Sequence, residues 1–127
     1  MDIPKHLNFT ESHEWILKED EHVVTVGITD FAQQQLGDIV FIEPPVIGSH
    51  IEKGQETGVV ESVKAASDVY APISGQIIAI NEELTAHPEW VNQDPYHQGW
   101  LYKIKIANQN EIESLMDAAT YQSTLSE

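Results

Sequence analysis

The stretch Glu61-Ser62-Val63-Lys64-Ala65-Ala66-Ser67-Asp68 joins two strand-like runs and places a lysine in the connection between them. The runs cover residues 57–63 and 68–71 and are rich in valine and other residues that favour strands. So short a connection between strands predicts a β-hairpin. A lysine at such a turn projects away from the sheet, and the small side chains that follow it leave room for another protein to approach.

Further strand-like runs lie on both sides of this hairpin, at 14–18, 22–28, 38–43, 76–80 and 100–106. The last run alternates: Tyr102 and Ile104 share one face, and Lys103 and Lys105 share the other. Pro44 follows the run 38–43 and cannot donate to a sheet ladder, so it ends that strand. Many short strands punctuated by Gly and Pro predict a mostly β fold, a sandwich or a barrel.

Two helices are predicted, one inside the chain and one at its end. The first covers 30–36, where Asp30 with Gln33 resembles a capping box and Gly37 ends the helix. The second covers about 111–125, because Ile112, Leu115, Met116 and Ala119 repeat at helical spacing. A shorter helical turn is predicted after Pro88, a favoured first helical residue.

The charge of the chain excludes several classes of function. Its 127 residues are sufficient for one domain, and they carry 21 acidic residues against 6 basic ones, all lysine, for a net charge of −15. We expect no nucleic acid to bind, since that binding requires clustered lysine and arginine. Anionic membranes would repel the chain, whereas basic patches on partner proteins would attract it.

Cysteine is absent, which excludes disulfides, thiolate metal sites and a cysteine nucleophile. The six histidines are scattered and form no pair at ligand spacing, so we expect no metal site. No apolar run approaches the ~18 residues of a membrane span. Residues 1–9 lack the apolar centre of a secretion signal, and we therefore expect a cytoplasmic protein.

The position of Lys64 meets the requirements for carrying a prosthetic group on an amide-linked arm. Its stem is long and flexible, and its amine is the only nucleophile in the stretch. Most lysines, however, are solvated surface residues without a further role. The turn alone leaves both interpretations open.

Seven segments in register resemble the glycine cleavage H-protein family and span about residues 7–121. They are Ser12-His13-Glu14-Trp15, Val26-Gly27-Ile28-Thr29-Asp30, Leu36-Gly37-Asp38-Ile39-Val40, Glu61-Ser62-Val63-Lys64-Ala65, Ala71-Pro72-Ile73-Ser74-Gly75, Asn92-Gln93-Asp94-Pro95-Tyr96 and Gly99-Trp100-Leu101. One departure is the segment 43–46, Glu-Pro-Pro-Val here and Glu-Leu-Pro-Glu in the family. It affects only the expected geometry of that loop.

The resemblance implies a barrel-sandwich hybrid of the lipoyl-domain type, with a short internal helix and a C-terminal helix. It places the whole chain, 1–127, in one lipoyl-carrier domain, with a lipoyl-binding core at about 22–104. It further implies lipoic acid amide-linked to Lys64 at the hairpin tip. By this resemblance the chain is a carrier and not an enzyme, and we expect a monomer.

The partners implied by the resemblance are the enzymes of glycine cleavage and of lipoyl attachment. The glycine decarboxylase (P protein) loads an aminomethyl group, the aminomethyltransferase (T protein) removes it, and dihydrolipoamide dehydrogenase (L protein) takes the electrons. A lipoyl or octanoyl transferase, or a lipoate ligase, attaches the arm. Lysine plus lipoyl reaches on the order of 14 Å by bond counting.

The family resemblance also implies a cleft that shelters the loaded arm, at positions matched by Ser12, Glu14 and Asp68. A carboxylate from Glu14 would hold the cationic amine of the cargo, and the Ser12 hydroxyl would add a hydrogen bond. The alternative is that Glu14 and Asp68 are simply two of the 21 acids on a solvated surface.

Two other carriers, and one interaction or regulatory protein that would keep the fold and the arm, are alternatives to a glycine cleavage protein. A lipoyl domain of a 2-oxo acid dehydrogenase is shorter and tethered by Ala/Pro-rich linkers, and a biotin carrier typically flanks its lysine with methionines. Val63 and Ala65 stand at those flanks here. A relative that relays lipoyl groups to other enzymes is left open by the sequence.

Overall fold

Two antiparallel sheets form the framework of the computed structural model, which describes residues 2–125. The strands are β1 (Asn8–Phe9), β2 (Glu14–Lys18), β3 (Val23–Ile28), β4 (Ile39–Glu43), β5 (His50–Ile51), β6 (Glu56–Ser62), β7 (Ala66–Tyr70), β8 (Gly75–Ile80) and β9 (Tyr102–Ile106). The larger sheet has the order β1-β2-β3-β9-β8-β5, and the smaller one has the order β4-β6-β7. The predicted mostly β fold is confirmed.

The main core contains the inward faces of strands from both sheets. On β3, Val24 lies opposite Ile104 of β9 in the register, and Val26 lies opposite Tyr102; all four are buried. Val60 and Val69 of the smaller sheet belong to the same buried cluster. The predicted alternation of β9 is therefore confirmed, and each buried aliphatic side chain contributes about 1.5–3 kcal/mol.

The internal helix, α1 (Asp30–Leu36), has the predicted bounds but a different cap. Thr29, not Asp30, is the N-cap: its hydroxyl accepts a hydrogen bond from the Ala32 amide at 3.2 Å. Asp30 instead accepts from the Gln33 side chain. Gly37 ends the helix as predicted, at a φ of 81°, a value that glycine tolerates without strain.

The predicted continuous helix over 111–125 is wrong, because the structure divides it into two short helices. These are α3 (Asn110–Glu113) and α4 (Ala118–Leu125), which follow α2 (Trp90–Gln93) in the chain. Between them, Met116 forms a two-way backbone bridge with Phe9, at 2.8 and 2.9 Å. That bridge requires extended backbone, and helical spacing could not reveal it because its partner lies far away in sequence.

A second buried cluster joins α4 to the start of the chain. Tyr121 of α4 is fully buried and stacks on Phe9 of β1, with the ring centroids 4.6 Å apart. Leu7, Trp15 and Tyr96 are buried in the same cluster. No helix within the described residues is long and apolar enough to cross a membrane.

Candidate functional site

The predicted hairpin forms between β6 and β7, and a serine organises its turn. The Ser62 hydroxyl accepts hydrogen bonds from the Lys64 amide at 3.3 Å and the Ala65 amide at 3.1 Å. The Ser62 amide donates to the Ala65 carbonyl at 2.7 Å. Beside the turn, the Val63 amide donates to the Asp38 carbonyl at 3.0 Å, which ties the tip to the residue before β4. The backbone around Lys64 is therefore fixed without the use of its side chain.

The Lys64 side chain is exposed at this tip. Within residues 2–125, its amine forms no ion pair and no hydrogen bond. Its Cε lies 3.7 Å from the point where a Cβ on Gly37 would stand, so its stem lies over the end of α1. An exposed, unpaired amine on a rigid turn is accessible to an enzyme that acylates it.

The Glu14 side chain, in contrast, is only 1 % exposed. Its Oε1 accepts hydrogen bonds from the hydroxyls of Thr10 at 2.5 Å and Ser12 at 2.6 Å. Its Oε2 accepts the Tyr70 amide at 3.3 Å and no other hydrogen bond from residues 2–125. A carboxylate has about four lone-pair positions, so this arrangement leaves Oε2 with room for one more donor.

Burial raises the pKa of Glu14, while the hydrogen bonds from Ser12, Thr10 and the Tyr70 amide oppose that shift. The opposition is physical: a donor stabilises the ionised carboxylate more than the neutral acid, whereas removal from water does the reverse. The two hydroxyls therefore favour a negative charge at a position where burial disfavours it.

Helix α1 lies between the Glu14 carboxylate and the Lys64 side chain. The helix begins after Thr29, whose amide donates to the His13 carbonyl beside Glu14 at 3.0 Å. It ends at Gly37, under the stem of Lys64. Seven helical residues span about 10 Å, and the arm expected at Lys64 from the sequence, about 14 Å long, would exceed that distance.

The structure brings together only some of the site residues predicted from the sequence. Ser12 and Glu14 are in direct contact. Asp68 lies on β7, exposed, two residues from Tyr70 and therefore about 7 Å along the strand from the amide that contacts Glu14. No group of three or more His, Asp or Glu that could hold a metal ion occurs in residues 2–125.

Thr10 and Tyr121 are the residues of this region that sequence reasoning missed. Thr10 contacts Glu14 directly. The sequence pattern that could have indicated this contact is the placement of Thr10, Ser12 and Glu14 at alternate positions. The Tyr121 hydroxyl lies 2.8 Å from His13 Nδ1 and 2.7 Å from the Thr29 hydroxyl. No pattern near residue 121 indicated those contacts, which join distant parts of the chain.

The comparisons with known proteins agree on one family. The family model described as "Glycine cleavage H-protein" matches residues 7–127. The chain belongs to the glycine cleavage H-protein family. A glycine cleavage system H protein from Legionella pneumophila (strain Corby) is 58% identical over 121 residues, which cover 95% of this chain and 96% of the relative.

Other relatives within the H-protein family give the same result. A glycine cleavage system H protein from Chromohalobacter salexigens is 52% identical over 124 residues, covering 98% of this chain and 95% of the relative. The crystal structure of an H protein from Mycobacterium marinum superposes with a TM-score of 0.87 at 36% identity, covering 96% of this chain and 98% of that one. The family, the fold class and the role as a carrier component of glycine cleavage, all predicted from the sequence, are confirmed.

Proposed function

We propose that Lys64 carries a covalent lipoyl group and that this arm serves the glycine cleavage system. The exposed, unpaired Lys64 amine on a turn fixed by Ser62 carries the proposal. When attached, lipoic acid supplies a dithiolane that accepts the aminomethyl group of glycine and the electrons of the reaction. The chain itself supplies the attachment residue and a cleft that binds the cargo between transfers. The catalytic steps are carried out by its partners.

The buried carboxylate of Glu14 is the group that we assign to the cargo. An aminomethyl amine is cationic at neutral pH, and Oε2 of Glu14 has acceptor capacity left for it. Of the residues that donate to this carboxylate, only Ser12 is exposed, so we place the approach of the amine beside Ser12. Asp68, on the strand between tip and carboxylate, adds negative charge along that route.

Reconstitution of glycine cleavage with purified partners tests the role of Lys64. Lys64→Arg retains the charge but removes the nucleophile, and we expect no glycine-dependent release of CO2 above background. The matched control is Lys53→Arg, because Lys53 also lies in a turn but its amine donates to the Ser114 hydroxyl at 2.7 Å. Full activity of Lys64→Arg, or equal loss in both variants, would overturn the assignment.

The lifetime of the loaded arm tests the role of Glu14. We expect Glu14→Ala to release formaldehyde about ten times faster than the wild-type protein, the effect of losing one charge-assisted hydrogen bond. Glu111→Ala is the control, since the Glu111 carboxylate also accepts hydrogen bonds, from the amide and the hydroxyl of Ser74. Release at the wild-type rate in Glu14→Ala would exclude the cargo role.

The surface beside the tip supports docking of the partner enzymes. Val40, Phe41 and Val63 are exposed there, and the acids Asp38 and Asp68 lie nearby. An apolar surface with acidic neighbours suits a partner surface that is apolar with a basic rim. We expect transfer rates to fall as ionic strength rises, and rates that do not change with salt would contradict this electrostatic contribution.

A further inference from the structure

The polar cluster behind Glu14 extends from the N-terminal turn to the C-terminal helix. The Tyr121 hydroxyl, on α4, is within hydrogen-bond distance of both His13 and Thr29. Tyr121 is completely buried, so its hydroxyl has no alternative partner in solvent. A buried hydroxyl that loses its partners is costly, which makes these contacts strong constraints on the groups that they join.

His13 needs such a constraint because its backbone is strained. Its φ is 73°, and it is the one non-glycine residue at positive φ among residues 2–125. That conformation costs a side-chain-bearing residue on the order of 1 kcal/mol, and it persists only where surrounding contacts hold it. The contacts here are the Tyr121 hydroxyl, the Phe31 ring at 4.8 Å between centroids, and the Thr29 amide on the His13 carbonyl.

The strained residue belongs to the same turn as the groups that bond to Glu14. The His13 amide donates to the Thr10 carbonyl at 3.2 Å, and the Thr10 amide donates to the Glu14 carbonyl at 3.0 Å. The Thr10 hydroxyl both accepts from the Glu14 amide at 3.0 Å and donates to its carboxylate. A shift of His13 therefore displaces the hydroxyl that orients the carboxylate.

We propose that Tyr121 is a positioning residue for the cargo site: its hydroxyl holds His13 and, through the turn 10–13, holds the Thr10 hydroxyl against the Glu14 carboxylate. The C-terminal helix α4 then helps to position the groups of the cargo site, in addition to packing against the core. This inference rests on the proposed role of Glu14, but the geometry of the turn can be tested without any cargo.

The direct test is the titration of Glu14 in the unmodified protein, followed by NMR of its side-chain carboxyl carbon. Tyr121→Phe removes only the hydroxyl and keeps the stacking on Phe9. Loosened donors stabilise the carboxylate less, so we expect the titration midpoint to move to higher pH. Thr10→Val removes the contacting hydroxyl itself and should move the midpoint further in the same direction.

Tyr96→Phe is the matched control. Tyr96 is also buried, and its hydroxyl accepts from the Asp30 amide at 3.0 Å and donates to the Asp2 carbonyl at 2.6 Å, with no hydrogen bond to the turn 10–13. Burial raises the pKa values of Tyr102 and Tyr121, and the negative charge of Glu14 raises both further. Both stay neutral throughout the titration of Glu14.

The lifetime of the loaded arm separates this inference from the proposed function. If the positioning role of Tyr121 and the cargo role of Glu14 are both correct, Tyr121→Phe shifts the titration midpoint of Glu14 and shortens the lifetime of the loaded arm about threefold to tenfold. Tyr96→Phe changes neither quantity. A moved midpoint with an unchanged lifetime supports the positioning role and overturns the cargo role of Glu14. An unmoved midpoint in Tyr121→Phe, or an equal shift in Tyr96→Phe, overturns the positioning role.

Discussion

The hairpin tip and the buried carboxylate are held in opposite ways. At the tip, hydrogen bonds fix the backbone of Lys64 and leave its side chain exposed. At Glu14, hydrogen bonds fix the side chain itself, which is 1 % exposed. The tip therefore leaves the Lys64 amine accessible to other proteins, whereas the Glu14 carboxylate is held in one orientation and shielded from water.

Under the proposed function, this contrast separates attachment of the arm from shelter of its cargo. A reactive cargo needs shelter, and shelter requires buried, fixed polar groups that lower stability. An attachment residue needs freedom, and a solvated lysine contributes almost nothing to stability. Helix α1 lies between the two regions and is about 10 Å long, a length that the proposed lipoyl-lysine arm would cover.

The largest expected effect concerns two phenylalanines, one beside each region. Phe9 is fully buried under Tyr121, and Phe9→Ala should lower the free energy of unfolding by about 3–5 kcal/mol. Phe41, beside the tip, is 49% exposed, and Phe41→Ala should lower it by less than about 1 kcal/mol. Urea unfolding measures both, and equal losses would contradict the described contrast in burial.

The second effect concerns the charge of Glu14. Because burial raises its pKa, the folded protein binds this proton at higher pH than the unfolded chain, whose value is near 4.5. The free energy of unfolding therefore falls as pH rises from 4.5 through the raised pKa. Glu14→Gln removes that dependence and should be more stable than the wild-type protein at pH 7, because the amide has no charge to bury.

The comparison for Glu14→Gln is made by urea unfolding at several pH values. Its advantage over the wild-type protein should shrink below pH 4.5, where Glu14 is neutral in both states. The reverse trend, a variant that loses stability at pH 7 and matches the wild-type protein in acid, would mean that the donors outweigh burial.

The third effect concerns two serines. Ser62→Ala removes a hydroxyl that serves two amides of the turn and should cost about 1 kcal/mol in urea unfolding, with slower acylation of Lys64. Ser12→Ala removes a donor from Glu14 and should raise the pKa of that carboxyl, with a smaller change in stability. Should Ser12→Ala destabilise the fold more than Ser62→Ala, the division of tasks would be wrong.

The smallest effect concerns Lys64 itself. Because its side chain has no hydrogen bond or ion pair within residues 2–125, Lys64→Gln should change the free energy of unfolding by less than about 0.5 kcal/mol. In thermal and urea unfolding, the variant and the wild-type protein should have the same midpoints. A clear loss of stability would show that the lysine has a structural role at the tip.

The sequence predicted the strands with clear alternation, such as β9, and the bounds of α1, because those patterns are local. The two-residue strands β1 and β5 have no period and went unnoticed, and the break before α4 depends on a bridge from Met116 to Phe9. Lys64 could be predicted as the attachment residue from its position in the turn together with the family resemblance of the chain. The contact of Glu14 with the Tyr70 amide could not be predicted, since it joins residues 56 positions apart in the sequence.

Attachment of the arm to Lys64 is tested by the mass of the protein expressed with lipoate and the enzymes that attach it, followed by mapping of the modified residue. We expect one lipoyl group per chain, located on Lys64, and none in Lys64→Arg. A lipoyl group on another lysine, or an unmodified wild-type chain under conditions that modify a known H protein, would contradict this expectation.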